Sequence, residues 1–220
     1  FPDGALLSAD LGRARAAAAN AKGDTLPVVT NANTSAVILP PFSDRPVFSP
    51  DGDRVFVPVR QLNRVLSIDV SPSGELSCGA AGNPERCGEG ARALQLPRND
   101  PFDVIPLAQQ GARVDAMVTL ESSSVVFFFR DDPSQTPARR MSTTGSLDLG
   151  SDTIGGVRSA VLRKAKNGSR ATVFAGVDLA TPITSATTQV DPLTGQPIGD
   201  TTGIIGAELL AFEPKTNAQI

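Results

Sequence analysis

The chain contains no histidine, tryptophan or tyrosine, and ten phenylalanines supply all of its aromatic content. Histidine is the side chain that titrates near neutral pH, so its absence removes several chemistries at once. A Ser-His-Asp triad, a Cys-His pair, a His-ligated zinc and a His proton shuttle are all excluded within these 220 residues. Long apolar runs are missing too. The longest, VVFFF at 125–129, is far shorter than the roughly 20 residues of a membrane-spanning helix. Charge of neither sign dominates: 20 Lys and Arg stand against 23 Asp and Glu, with a pI near 5.0. Nothing here offers a basic footprint for nucleic acid or an anionic membrane. No secretory signal is visible and the sequence opens on Phe1, as expected of a processed exported protein or an internal fragment.

Cysteine is scarce but informative. Cys78 and Cys87 lie in SCGAAGNPERCGEG, whose Gly, Pro and Asn let the chain double back. The spacing C-x8-C, without histidine, matches no standard zinc or redox motif, which favours a disulfide over two unrelated thiols. Closing so short a loop contributes about 2–3 kcal/mol on chain-entropy grounds. A disulfide implies an oxidising compartment, so the expected location is exported: periplasmic, cell-surface (as a lipoprotein) or extracellular.

What is abundant is turn chemistry. Twenty Gly and 18 Pro, with much Val, Ile and Thr, favour many short strands. The turns recur. Gly23, Gly52, Gly111 and Gly168 each precede a β-type segment, the last three being 59 and 57 residues apart. A second marker, Pro72, Pro133 and Pro192, recurs independently at 61 and 59 residues. Two markers with nearly one period indicate a repeated unit.

Each unit reads as a four-stranded antiparallel meander. In the clearest copy the predicted strands are 45–50, 54–59, 64–70 and a fourth from about Glu75. Val55, Val57 and Val59 alternate with Arg54, Phe56 and Pro58, a strand apolar enough on both faces to lie between two neighbouring sheets. The second unit is expected at 102–107, 113–120, 123–129 and 146–150, with VVFFF packed between sheets. The third has strands at 156–164 and 171–177, then either the segment ending at 187–190 or 207–213. Residues 24–31 and 35–41 read as strands of a shorter first unit, and 5–11 as a stray outer strand. LGRARAAAANAKGD has helix propensity, but its place before a Gly turn points to strand or irregular structure.

FSPDGDRVFVPVRQLNRVLSIDVSP resembles a blade of the YVTN/NHL-type β-propellers, in which Ser49, Pro50, Asp51, Gly52, Val55, Val57, Val65, Ile68 and Asp69 fill the blade pattern. VDPLTGQPIG is similar to the D-x-x-T-G hairpin of such blades. Pro58 and Val59 depart from the family's usual Thr and Asn, Gly111 lacks the Ser-Pro-Asp lead, and the period exceeds the usual blade of about 40 residues. The resemblance implies an all-β propeller occupying residues 1–220, with three to four blades at approximately 5–43, 44–98, 99–150 and 151–220. That is fewer than usually close a ring, so other segments or chains are expected to complete it.

Propeller function sits at the channel mouth, on loops entering the innermost strands. Here these carry Asp44, Asn99, Asp100, Asp103 and Asp152. Carboxylates and amides in a ring suit a hard cation such as Ca²⁺, which metal-dependent lactonases of propeller fold use. The plainer role of Asp and Asn at such positions is to cap turns. SPDGDR lacks the further ligand spacing of a calcium loop and reads as a turn. The expected function is therefore a non-catalytic module that binds a protein or glycan through inter-blade loops and requires no cofactor. The alternative is a Ca²⁺-dependent propeller hydrolase or lactonase.

Overall fold

The computed structural model describes residues 3–20, 33–78, 86–88, 92–136, 139–149, 154–164, 171–179 and 207–212. The expected strands at 24–31 and 187–190, and Asp152, lie outside the described residues. Within them, strands β1 (Gly4–Ala9) and β2 (Asn33–Leu39) pair antiparallel as a first sheet. The second contains β3 (Val47–Phe48), β4 (Arg54–Val59), β5 (Arg64–Val70), β6 (Leu76–Ser77) and β7 (Ala93–Gln95). The third contains β8 (Pro101–Gln110), β9 (Arg113–Leu120), β10 (Val125–Asp131) and β11 (Met141–Asp148), as an up-and-down meander. The fourth contains β12 (Ile154–Lys164), β13 (Ala171–Leu179) and β14 (Ala207–Phe212). Every strand pairing is antiparallel, and β14 supplies the strand that the sequence left ambiguous.

The turns form where Gly permits them. Gly52 and Gly74 sit at φ of 75° and 84°, a region that costs a side chain but not glycine. Their amides close the turns onto the Ser49 and Ser71 carbonyls.

Alternation then stacks the sheets face to face. Val55, Val57 and Val59 pack with Val37 and Leu39 of the first sheet. Phe56 and Val65 point the other way, into a cluster with Val114, Val118 and Phe129 of the third. The rings of Phe56 and Phe129 meet edge to face, 5.6 Å apart. Val126 and Phe128 turn to the fourth sheet, against Val157, Val173 and Val177. VVFFF thus alternates between two neighbours, each large buried side chain contributing about 1.5–3 kcal/mol. Antiparallel sheets stacked in chain order give an all-β fold of propeller type.

Two details depart from the sequence reading. Residues Leu11–Ala19 form an α-helix, not a strand. Alanine propensity prevails because no sheet claims the segment, and Asp10 caps it by accepting the Arg13 amide proton at 3.0 Å. The outer strand of the second sheet is also divided. β6 and β7 both pair with β5, on either side of the cysteine loop. Cys78 and Cys87 are disulfide-bonded and buried against β4 and β5. From this loop the Cys87 amide donates to the Ile38 carbonyl at 2.9 Å, joining the second sheet to β2 of the first.

One end of the stack, here the base, carries the β3–β4, β5–β6, β8–β9 and β10–β11 connections. There Asp131 is fully buried. Arg54 Nη1 donates to its Oδ2 at 3.0 Å, Ser67 Oγ to the same oxygen at 2.6 Å, and Arg140 Nε to its Oδ1 at 2.8 Å. Arg140 also reaches Asp69 at 2.6 Å, and Arg92 meets Asp69 at 3.1 Å. Burial works against the charge on Arg140, but the hydrogen bonds to Asp69 and Asp131 outweigh it and raise its pKa. Arg54 further donates to the Ala112 carbonyl. Second and third sheets are thereby latched.

Asp131→Asn should cost about 3–5 kcal/mol in urea unfolding, because it leaves two buried guanidinium groups without their shared counter-charge. A separate packing test concerns Gly156, where any Cβ would run into the Glu121 backbone. Gly156→Ala should destabilise by about 1–3 kcal/mol in the same assay.

Candidate functional site

The opposite end, the rim, gathers the segments entering β3 and β8 and the first residues of β12 with the turns joining β4 to β5 and β9 to β10. After β4, residues Arg60–Leu62 make a single 3₁₀ turn closed by Asn63 in the left-handed region. The Asp44 amide donates to the Pro58 carbonyl at 2.8 Å and the Arg60 amide to that of Phe42 at 3.2 Å, laying residues 42–44 along the end of β4. Among the described residues, the non-glycine positions with positive φ are Phe42, Asn63 and Asp100, and all three lie on this rim. Asn and Asp tolerate that conformation. Phenylalanine does so rarely, so Phe42 marks local strain of the kind that collects at functional surfaces.

Charged side chains tie the rim across three sheets. Glu121, in the β9–β10 turn, pairs with Arg60 of the second sheet and with Arg158 of the fourth, the latter at 3.3 Å. The Arg60 guanidinium also lies 5.4 Å from the centre of the Phe102 ring. Arg45 reaches the Asp103 carboxylate at 3.4 Å, and the amides of Val104 and Ala160 donate to it at 3.0 and 3.5 Å.

The sequence-predicted residues are distributed as follows. Asp44 accepts its neighbour Arg45's amide proton at 2.9 Å. Asn99 is exposed and accepts from Asn63 at 2.7 Å. Asp100 offers its carbonyl to the Glu121 amide at 3.0 Å. Asp103 is buried within β8. Arg45 connects Asp44 with Asp103, and Asn63 connects Asn99 with the β4–β5 turn. Among the described residues no group of three or more Asp, Glu, Cys or His side chains is placed to hold a metal ion.

Sequence reading passed over Arg60, Asn63, Glu121 and Arg158. A signal existed: in a meander the second-to-third strand turn shares an end with the entry to the first strand. The polar residues of RQLN and ESS therefore belong to the same rim. At the base, the missed signal was an arginine two residues after two of the turn glycines, Gly52/Arg54 and Gly111/Arg113.

Beside the rim, between first and second sheets, lies a cleft of about 260 Å³, lined in part by Pro40, Pro41, Leu62, Arg64 and Arg86. The disulfide forms part of its wall through Cys87.

No protein-family model matches the sequence, and no curated protein matches it. Several solved structures do. A protein from Lactobacillus plantarum matches at 18% identity and a TM-score of 0.41, over 63% of this chain and 38% of its own. The periplasmic gluconolactonase of Pseudomonas aeruginosa matches at 22% identity and a TM-score of 0.39, over 70% of this chain and 38% of its own. Hydrazine synthase of Kuenenia stuttgartiensis matches at 14% identity and a TM-score of 0.31, over 66% of this chain and 47% of its own. The chain thus spans less than half the length of each. At these identities nothing of their activities transfers to it.

Burial raises the Asp103 pKa above the ordinary aspartate value, against the opposing pull of Arg45 and the Ala160 and Val104 amides. The folded chain then holds this proton more tightly than the unfolded chain. Its contribution to stability falls as pH rises through the range just above about 4. Asp103→Asn removes that cost. The variant should match or exceed the parent's thermal stability at neutral pH, with the difference closing as the pH is lowered through about 4.

Proposed function

We propose that the chain belongs to a YVTN/NHL-type propeller and acts as a non-catalytic binding module of an exported or cell-surface protein. Its partner is a protein or glycan, met through the rim loops. The observation that carries this reading is the engagement of two rim carboxylates, Asp103 and Glu121. Asp103 is held by one guanidinium and two amides, and Glu121 by two guanidinium groups. A catalytic cation needs several oxygens converging on one point, and these are spent on arginines and backbone instead. The lack of histidine leaves no ordinary general base near neutral pH. Export is supported by the Cys78–Cys87 disulfide, since such bonds persist in oxidising compartments. The outer faces of the first and fourth sheets expose Leu7 and Val161, at 56% and 62%. Further sheets of a ring would cover such faces.

Thermal unfolding in EDTA and in excess calcium, with a lactone-hydrolysis assay alongside, separates this reading from a propeller lactonase. The expected result is an unchanged midpoint and no turnover. Calcium stabilisation accompanied by turnover would overturn the binding reading. On the positive side, a peptide or glycan retained by the oxidised protein should be lost in Leu62→Asp, which places a charge on the rim.

A further inference from the structure

The geometry points to the cleft between the first and second sheets as a site that captures the free C-terminus of an apolar segment of a partner protein, with Arg64 receiving its carboxylate. This rests on the binding-module reading and names the partner chemistry for one part of the rim.

Arg64 opens β5 and lines the cleft. Its Nε donates to the Gln95 side-chain carbonyl at 2.8 Å and its Nη1 to the Gly88 carbonyl at 3.0 Å. Both acceptors are neutral. The guanidinium is therefore aimed, but among the described residues it has no carboxylate partner. Arg86, across the cleft, differs: Asp3 already meets it at 2.8 Å. Among the described residues the cleft thus carries one unmatched positive charge, which a ligand carboxylate completes with a charge-assisted hydrogen bond.

Beside that charge and the Arg86–Asp3 pair, part of the wall is apolar. Ile38 and Leu62, at 39% and 40% exposure, stand with Pro40 and Pro41. A volume of about 260 Å³ lies just below the usual small-ligand range of roughly 300–1,000 Å³, which suits one or two terminal residues. Among the described residues no aromatic face lines the cleft, and the chain has no tryptophan or tyrosine on which a sugar ring would stack. An apolar peptide end with its carboxylate fits where a glycan does not.

The wall is also preorganised. The disulfide anchors residues 86–88, the Cys87 amide bonds to Ile38 at 2.9 Å, and Gly88 at φ 89° sits close against Pro40. The carbonyl that orients Arg64 belongs to this anchored segment. Little ordering is left to be done on binding.

Calorimetric titration with acetyl-Ala-Val-Leu as the free acid, the same peptide as its C-terminal amide, and octanoate tests the assignment. The acid should bind at least tenfold more tightly than the amide. Arg64→Gln should bring the acid down to the amide's affinity, whereas Arg64→Lys, which keeps the charge, should retain a preference for the acid. Replacing both cysteines by serine should weaken acid and amide alike. Equal binding of acid and amide by the parent protein, or an unchanged preference in a folded Arg64→Gln protein, would overturn the proposal. Octanoate binding as tightly as the peptide acid would overturn the peptide assignment. A lactonase would reveal itself by turnover whatever the peptides do, so the two failures are separable.

Discussion

The fold depends on a single buried carboxylate. Asp131 has no access to water, and its oxygens are shared among Arg54, Arg140 and Ser67, which arrive from three different strands or their ends. Apolar burial drives the sheets together but is indifferent to direction, so on its own it would tolerate one sheet sliding over the next. A buried charge is not indifferent. Each guanidinium must meet its oxygen within hydrogen-bond distance or remain uncompensated in a low dielectric. The latch therefore sets how the second sheet sits on the third, and with it how the segments at the far end of the same strands line up.

The two ends of the stack are built on different principles as a result. The base is closed: Arg54, Arg140 and Asp131 are buried and matched, and Arg54 is tied to the Ala112 carbonyl. The rim is open, and its ion pairs include partly or largely exposed residues, such as Arg158 with Glu121. Exposed pairs of this kind contribute little to stability. The left-handed Phe42, Asn63 and Asp100 also sit on the rim, where the rigid base can hold strain that a looser scaffold would relax. The disulfide extends the same logic sideways. It closes an insertion in the outer strand of the second sheet and presents residues 86–88 to the edge of the first, making a cleft between elements that are remote in sequence.

Much of this was legible in the residues. Strands β4, β5 and β9 fall where alternation and turn chemistry place them, because a P-D-G turn and a period of two leave few other conformations. VVFFF could be read as a strand buried on both faces for the same reason. The helix at Leu11–Ala19 was misread because the repeat suggested a strand where local propensity, unopposed by tertiary pairing, decided the outcome. The divided outer strand of the second sheet escaped notice since β6 and β7 are only two and three residues long. Such short strands carry no periodicity of their own.

The sequence by itself determined the class of the fold: its turn residues, alternating Val and Phe, and missing histidine required antiparallel sheets and excluded several catalytic chemistries. It also placed the two cysteines where a short loop could close. Only the tertiary structure decided which charges meet. Asp131 lies 77 residues from Arg54 and Glu121 lies 37 from Arg158, separations over which no sequence period carries information. Whether a carboxylate faces a cation, an amide or open solvent is a matter of where sheets stack. For that reason the aspartates that looked alike as candidate ligands became a capped turn, a backbone acceptor and a buried ion pair, while Arg64 was left aimed into a cleft without a carboxylate partner among the described residues.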